Sequence, residues 1–258
     1  MKTIAICNLK GGVAKTTTVV NLAADLAGLH GKRVLVVDAD SQCNATEFLG
    51  GGREGHSLAT LLRLPPVERT DFSLALEANQ AICESSVKGV DLLPADDSLM
   101  DMDLSKAETG DAWVECLARL KPILKGYDFI LIDCPPAFNA AAAAALLAAD
   151  EVIIPIKLDA FALRGLTNLL RQIANMRKIN PALRIAGVLP VMYYRSKEAE
   201  DALRVLKLHD LTVFPWIRRS TMVDVMTYRQ EPLIVSSPKS GACRDYKALA
   251  AKLAEGRV

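Results

Sequence analysis

The sequence has no apolar run long enough to cross a bilayer. Its longest stretch of small apolar residues, Ala140 to Ala149, is bounded by Asn139 and Asp150 and falls short of the roughly 18 residues a membrane helix requires. It has no CxxC pair and no paired-ligand metal spacing. Cys7, Cys43, Cys83, Cys116, Cys134 and Cys243 are scattered, several inside apolar runs such as IAIC and LIDC, which reads as buried free thiols. Met1 to Cys7 is too short an apolar stretch for a secretory signal before Asn8 and Lys10 interrupt it, so a reducing cytoplasm is expected. No Pro/Gly/Ser-rich linker or internal repeat divides the chain, and one domain over 1–258 is expected, with Gly50-Gly51-Gly52 and Asp96 to Asp111 as surface loops. At 51% hydrophobic and 24% charged residues, the composition excludes disorder, collagen-like repeats and a disulfide-stapled miniprotein.

Net charge is +1, but its distribution is uneven. Residues 1–156 hold 13 Lys and Arg against 21 Asp and Glu, whereas 157–258 hold 18 against 9. That asymmetry points to a surface facing a polyanion in the last two fifths of the chain, or to outer helices that are simply solvated by cations.

Strand-length apolar runs recur at Thr3–Cys7, Arg33–Val37, Val90–Leu93, Phe129–Ile132, Glu151–Ile156, Ile185–Met192 and Val213–Ile217, with helical stretches between them. Most are continuous rather than alternating, as in strands covered on both faces. Thr16 to Leu29 places Val19, Val20, Leu22, Ala23, Leu26 and Ala27 at helical spacing, and His30-Gly31 stops it. The expected fold is α/β: three layers, a mostly parallel twisted sheet with helices on both faces.

Directly after the first strand comes Asn8-Leu9-Lys10-Gly11-Gly12-Val13-Ala14-Lys15-Thr16-Thr17-Thr18. The standard pattern GxxxxGK[ST] fails at both glycines, where Leu9 and Ala14 stand, yet the chemistry of a phosphate loop survives. Gly11 and Gly12 can turn successive N–H groups toward an anion, and the following helix adds its positive end. Lys15 is placed to reach β- and γ-phosphates, with the Thr16 hydroxyl as a Mg²⁺ ligand. A Gly-Gly-x-x-Lys string alone fits a simple tight turn. Here two further strands run into acids, Val34-Leu35-Val36-Val37-Asp38-Ala39-Asp40 and Phe129-Ile130-Leu131-Ile132-Asp133. Such acids lie at the carboxyl edge of the sheet, where open α/β folds bind ligands, although each taken singly also suits a helix N-cap.

These residues resemble the ParA/MinD family of deviant Walker ATPases, in its ParA/Soj chromosome- and plasmid-partitioning branch. The family pattern xKGGxxK[TS] is matched by Leu9 to Thr16, including the extra Lys10. VLVVDADSQCNAT resembles the second motif, YDFILIDCPP the third and AADEVIIPIKLDAFALRGL the segment after it, so the likeness covers nearly the whole chain. The resemblance implies an ATPase with ATP and Mg²⁺ as cofactors. Gly11, Gly12, Val13, Ala14, Lys15, Thr16 and Thr17 would cradle the nucleotide. Thr16 and Asp133 would hold the metal or its water, Asp38 would support the metal shell, and Asp40 would orient the attacking water. Lys10 would reach the partner's nucleotide across an ATP-sandwiched homodimer. Three departures from the family stand out: Ser41 replaces a common proline, Ile217-Arg218-Arg219-Ser220 replaces Ile-Pro-Arg-Asn near the base, and Ala14 replaces a glycine. The methyl of Ala14 calls for a negative φ.

The resemblance further implies nonspecific DNA binding by the closed dimer, release on hydrolysis, nucleoid association with ATP, and a ParB-like centromere-binding partner. Candidate DNA contacts are Arg195, Arg219, Lys239 and Lys247, with Ser196 to Leu208 patterned as a helix that carries Lys197, Arg204 and Lys207 outward but also Glu198, Glu200 and Asp201. The tail from Lys247 to Gly256 offers mostly alanines opposite its lysines, too little apolar area for the membrane helix of MinD-like members. The alternative reading is a nucleotide-gated regulator that binds a protein rather than DNA.

Overall fold

A computed structural model describes residues 1–52, 55–65, 68, 70–102, 115–159, 162–208 and 211–256. Among the described residues seven strands form one sheet: β1 (Lys2–Ile6), β2 (Val34–Asp38), β3 (Cys83–Glu84), β4 (Val90–Leu93), β5 (Phe129–Asp133), β6 (Glu151–Lys157) and β7 (Arg184–Val191). Their order across the sheet is β3-β4-β2-β5-β1-β6-β7. Every pairing is parallel except β3 with β4. The helices are α1 (Lys15–His30), α2 (Asn44–Phe48), α3 (Leu58–Arg63), α4 (Asp71–Ala81), α5 (115–120), α6 (Ala140–Ala148), α7 (Ala162–Met176), α8 (Lys197–Leu208), α9 (Met222–Arg229), α10 (Leu233–Ser236) and α11 (Gly241–Ala254).

Successive strand residues point to opposite faces, and both faces here are apolar and covered. Leu35, Val37, Ile130 and Ile132 share one core with residues of α3, α4, α6 and α7. Ile4, Val34, Val36 and Leu131 share the other with α1 and α11. The expected doubly covered parallel sheet is therefore present.

Val213–Ile217 departs from the sequence expectation. Phe214 and Ile217 donate to the carbonyls of Val188 and Pro190 beside β7, but only isolated bridges result, at Val188 with Val213 and Tyr193 with Arg218. Pro215 supplies no N–H, so the ladder cannot run through. The expected loop Asp96 to Asp111 contains a short 3-10 helix, Asp97–Asp101, and its residues 103–111 lie outside the described residues. Among the described residues no disulfide forms; Cys7, Cys116, Cys134 and Cys243 are buried and Cys43 and Cys83 half-buried.

Helix α1 links the sheet to the C-terminal helices. It stops where expected, with Gly31 at φ 62° accepting the left-handed turn. Buried Asn21 ties it on: its Nδ2 donates to Thr17 O at 2.8 Å and its Oδ1 accepts from the Leu233 N–H at 2.9 Å. The apolar face of α11, including Tyr246, Leu249 and Leu253, is buried against α1. At this junction Asp25 is buried with Oδ1 unpartnered among the described residues. Burial raises its pKa to about 7, against the opposing pull of the Lys247 charge. Among the described residues, no helix is long and apolar enough to cross a membrane.

Candidate active site

β5 lies between β1 and β2, and the register sets Asp133 level with Ile6 on one side and Asp38 on the other. The loop after β1 and both strand-end acids thus meet at one edge of the sheet, although the two acids are 95 residues apart in the chain. The sequence segments read as three motifs form one site.

Asn8 begins the loop. Its Nδ2 donates to Pro155 O at 2.7 Å and its Oδ1 accepts from the Lys10 N–H at 3.0 Å, which bends the chain out of β1. Gly12 takes φ 67°. Ala14 takes φ 57° and ψ 35° as the residue before α1, so the negative φ expected for an alanine here is not what the loop adopts. The backbone is the left-handed one that a glycine accepts freely, and an L-residue there costs about 1–2 kcal/mol. Ala14 O receives the first helical bond, from the Thr18 N–H at 3.0 Å, and also the Thr18 hydroxyl at 2.7 Å. The N–H groups at the start of α1, from Lys15 to Thr17, are consequently outside the helical ladder, as an anion site requires. Lys15 is buried, and its Nζ donates back to Lys10 O at 3.3 Å.

The Thr16 hydroxyl donates to Asp133 Oδ2 at 2.6 Å. Asp133 is fully buried, and its Oδ1 has no hydrogen-bond partner among the described residues. Burial, reinforced by the nearby Asp38 charge, raises its pKa well above the usual carboxylate range. This hydroxyl beside an orphaned carboxylate oxygen fits a hydrated divalent cation, which would supply the missing partner and the missing positive charge.

Asp38, expected to support the metal shell, is buried and held by the loop that follows it. Its Oδ1 accepts from the Asp40 N–H at 3.1 Å, and its Oδ2 from both the N–H and hydroxyl of Thr46 at 2.8 Å. Burial raises its pKa to about 6, opposed by the Thr46 donors. Asp38 therefore fixes the loop on which Asp40 sits. Asp40, also buried, faces the phosphate loop across a cavity of roughly 240 Å³ lined by Gly11 to Thr17, Gln42, Asn44, Pro136 and Met192.

A second cavity of roughly 250 Å³ shares Ala14, Thr17 and Met192 with the first and extends toward Ile217, Arg218, Thr221, Asp224 and Tyr246. The two make one elongated cleft. Met192, at φ 51° just past the end of β7, lines both parts. Arg218, standing where the family has proline, forms three bonds with Asp245: backbone N to Oδ2 at 3.0 Å, Nε to Oδ2 at 2.8 Å and Nη2 to Oδ1 at 2.9 Å. Gly241 makes room for it, since a Cβ there would lie 2.5 Å from Arg218 Cδ.

Lys10 stands at the outer side of the loop, its Nζ 2.5 Å from Asp159 Oδ2 of the same chain. Of the four candidate DNA residues, Arg195 and Arg219 stand on adjacent segments, since the Arg219 N–H donates to Tyr193 O at 2.9 Å. Arg195 is exposed and pairs with Glu200 at 3.0 Å. Arg219 lines the second cavity, Lys239 is exposed before α11, and half-buried Lys247 faces Asp25 and Cys243. Sequence reading missed Met192, Asp159 and the Arg218–Asp245–Gly241 contact. Thr46 lay within the second motif without a role, and its spacing from Asp38 was the available signal.

Residues 1–185 match the family model described as an AAA domain. The chromosome partitioning protein ParA of Caulobacter vibrioides is 33% identical over 260 residues, which cover 97% of this chain and 92% of that protein. The sporulation initiation inhibitor protein Soj of Bacillus subtilis is 33% identical over 260 residues, 98% of each chain. Among solved structures, cobyrinic acid a,c-diamide synthase from Mycobacterium smegmatis, with an ATP analog and magnesium bound, has a TM-score of 0.76 at 30% identity, across 98% of this chain and 94% of that one. With the phosphate loop, its additional lysine and both strand-end acids converging on one cleft, and with relatives matched along nearly the whole sequence, the chain belongs to the ParA/Soj branch of the ParA/MinD family of deviant Walker ATPases.

Proposed function

We propose that this protein is a DNA-partition ATPase that closes into an ATP-sandwich homodimer, binds nonspecific duplex DNA in that state and releases it on hydrolysis. The observation that carries the nucleotide part is the Thr16–Asp133 pair with its orphaned Asp133 oxygen, set beneath the phosphate loop. The free N–H groups of α1 and the Lys15 ammonium bind the β- and γ-phosphates, while the base enters the second cavity beside Arg218 and Tyr246. When bound, Mg²⁺ would supply charge neutralisation for the triphosphate, and Thr16 and Asp133 are the residues that would hold it. Asp40, its position fixed by Asp38, orients the attacking water and keeps it in line with the γ-phosphate.

Lys10 must leave Asp159 to reach a nucleotide in the partner, so the ion pair favours the open monomer. At about one-third exposure of both side chains, such a pair is worth on the order of 1 kcal/mol or less, which sets a low threshold that two bound triphosphates readily exceed. The basic excess after residue 157 supplies the DNA contacts. Dimerisation doubles the phosphates neutralised on one surface, which gives ATP control over binding without base contacts. A ParB-like protein would stimulate turnover, and the molecule would be cytoplasmic, on the nucleoid while ATP is bound. The test is electrophoretic retention of random-sequence duplex with ATP, ADP and no nucleotide. Salt-sensitive retention with ATP alone is expected; no retention with ATP at low salt removes the DNA reading in favour of a protein-binding switch.

A further inference from the structure

Residues 160–197 contain seven Lys and Arg and no Asp or Glu, the longest stretch of one charge sign in the chain. Much of it is α7, an amphipathic helix whose inner face, Leu166, Leu169, Ile173 and Met176, is buried. Arg164 and Arg171 are exposed on α7, and Lys178 is exposed in the turn directly after it. Seven residues is nearly two helical turns, so Arg164 and Arg171 share a face about 10 Å apart, and the row to Lys178 spans about 20 Å. None of the three has an ion-pair partner among the described residues.

The surroundings do not neutralise this row. α7 packs on α6, whose nine residues are alanine and leucine only. The contrast with α8 is direct: there Arg204 pairs with Asp201 at 3.3 Å, and Arg195 before it with Glu200 at 3.0 Å. Between the α7 cations the outward uncharged residues are Thr167, Asn168, Ala174 and Asn175, with no aromatic or large aliphatic anchor among them; the exposed Ile179 lies beyond the row, after Lys178. A protein partner of ordinary affinity needs such an anchor, whereas a phosphate backbone needs only cations and polar donors.

From this we infer that the outer face of α7, with Arg164, Arg171 and Lys178, is a contact surface for the sugar-phosphate backbone of duplex DNA. The inference rests on the DNA-binding reading proposed above and gives it a location different from the Arg195 region. A 20 Å row matches the rise of about six base pairs. The helix is also anchored near the nucleotide site, because the Ala162 N–H donates to the carbonyl of Asp159 at 3.0 Å, the residue that holds Lys10.

The test is the triple variant Arg164→Gln, Arg171→Gln, Lys178→Gln, with Arg204→Gln as a control that touches an already paired cation. Retention of random duplex with ATP is measured against salt, alongside ATP-dependent dimerisation by light scattering. Expected is loss of at least about tenfold in affinity, with the slope of log affinity against log salt reduced by roughly 2 to 3 per protomer engaged, dimerisation unchanged and Arg204→Gln at wild-type values. Wild-type affinity and slope in the triple variant overturn the α7 assignment while leaving DNA binding itself intact. Failure of the unmodified protein to retain DNA overturns both readings. If the triple variant keeps DNA but loses binding to poly-glutamate that the unmodified protein shows, the face docks an acidic protein and the DNA assignment is wrong.

Discussion

The two ends of the cleft are built by different means. At the phosphate end, contiguous residues 10–17 supply turns, helix N–H groups and a lysine, and Asp40 and Asp133 add the acids, with Gln42, Asn44, Pro136 and Met192 completing the wall. At the base end, the walls come from the end of β7, the segment 217–224 and α11, joined by tertiary contacts such as Arg218 with Asp245. The first end acts through charge and backbone geometry, which a short motif encodes. The second acts through shape, which depends on how distant elements pack.

The sharpest way to test that division is to compare ATP with inorganic tripolyphosphate as competing ligands. Lys15→Ala should lose both, by about 100-fold or more, because a charge-assisted contact to the phosphates disappears; calorimetry showing near-normal affinity would remove Lys15 from the site. Next in size, Asp40→Ala should keep ATP and accumulate closed dimer, while Lys10→Ala binds ATP yet stays monomeric. Light scattering decides, and the same oligomeric state in both variants contradicts their separate roles.

At the base end, Arg218→Ala should weaken ATP by roughly 5-fold, on the order of 1 kcal/mol, and leave tripolyphosphate untouched. Equal losses for the two ligands would mean that Arg218 does not discriminate between ends. Ala14→Gly should relieve the left-handed strain and raise Tm by roughly 2–4 °C; a fall in Tm would show that the Ala14 methyl contributes packing worth more than the strain.

The smallest effect concerns the α1–α11 junction that joins the ends. The Asp25 pKa is raised to about 7 in the folded chain, so the folded state holds a proton that the unfolded state has released from about pH 4 upward. Stability contributed by the neutral carboxyl is complete below that range and declines as pH rises toward 7. Asp25→Asn should therefore melt above the unmodified protein at pH 8 and converge with it near pH 4. A constant difference across that range would assign the effect to packing instead.

The sheet was legible because buried parallel strands leave continuous apolar runs, and the phosphate end because Lys10 to Thr16 sit together in the chain. Val213–Ile217 misled because its apolar pattern outweighed Pro215, whose missing N–H decides the outcome. The φ of Ala14 was unreadable, since loop closure over an anion site imposes it against the residue's own preference. Asp38 illustrates a different limit: its place at a strand end shows in the sequence, but its capture by Thr46 depends on how α2 folds back. Which cations stay unpaired, Arg171 but not Arg204, depends on which acids lie within reach.

Arg218, Asp245 and Gly241 also constrain the paths by which this sequence could change. Replacing Arg218 with the family's proline removes three hydrogen bonds at once and leaves the Asp245 carboxylate without its cation, while any side chain at Gly241 collides with the arginine already in place. Each position is thus neutral to change only after another has changed, so their substitution energies should be strongly non-additive. The base end has, in this sense, a memory: a lineage that acquired the arginine cannot return by one step, and variation near the pocket is channelled to positions outside the three.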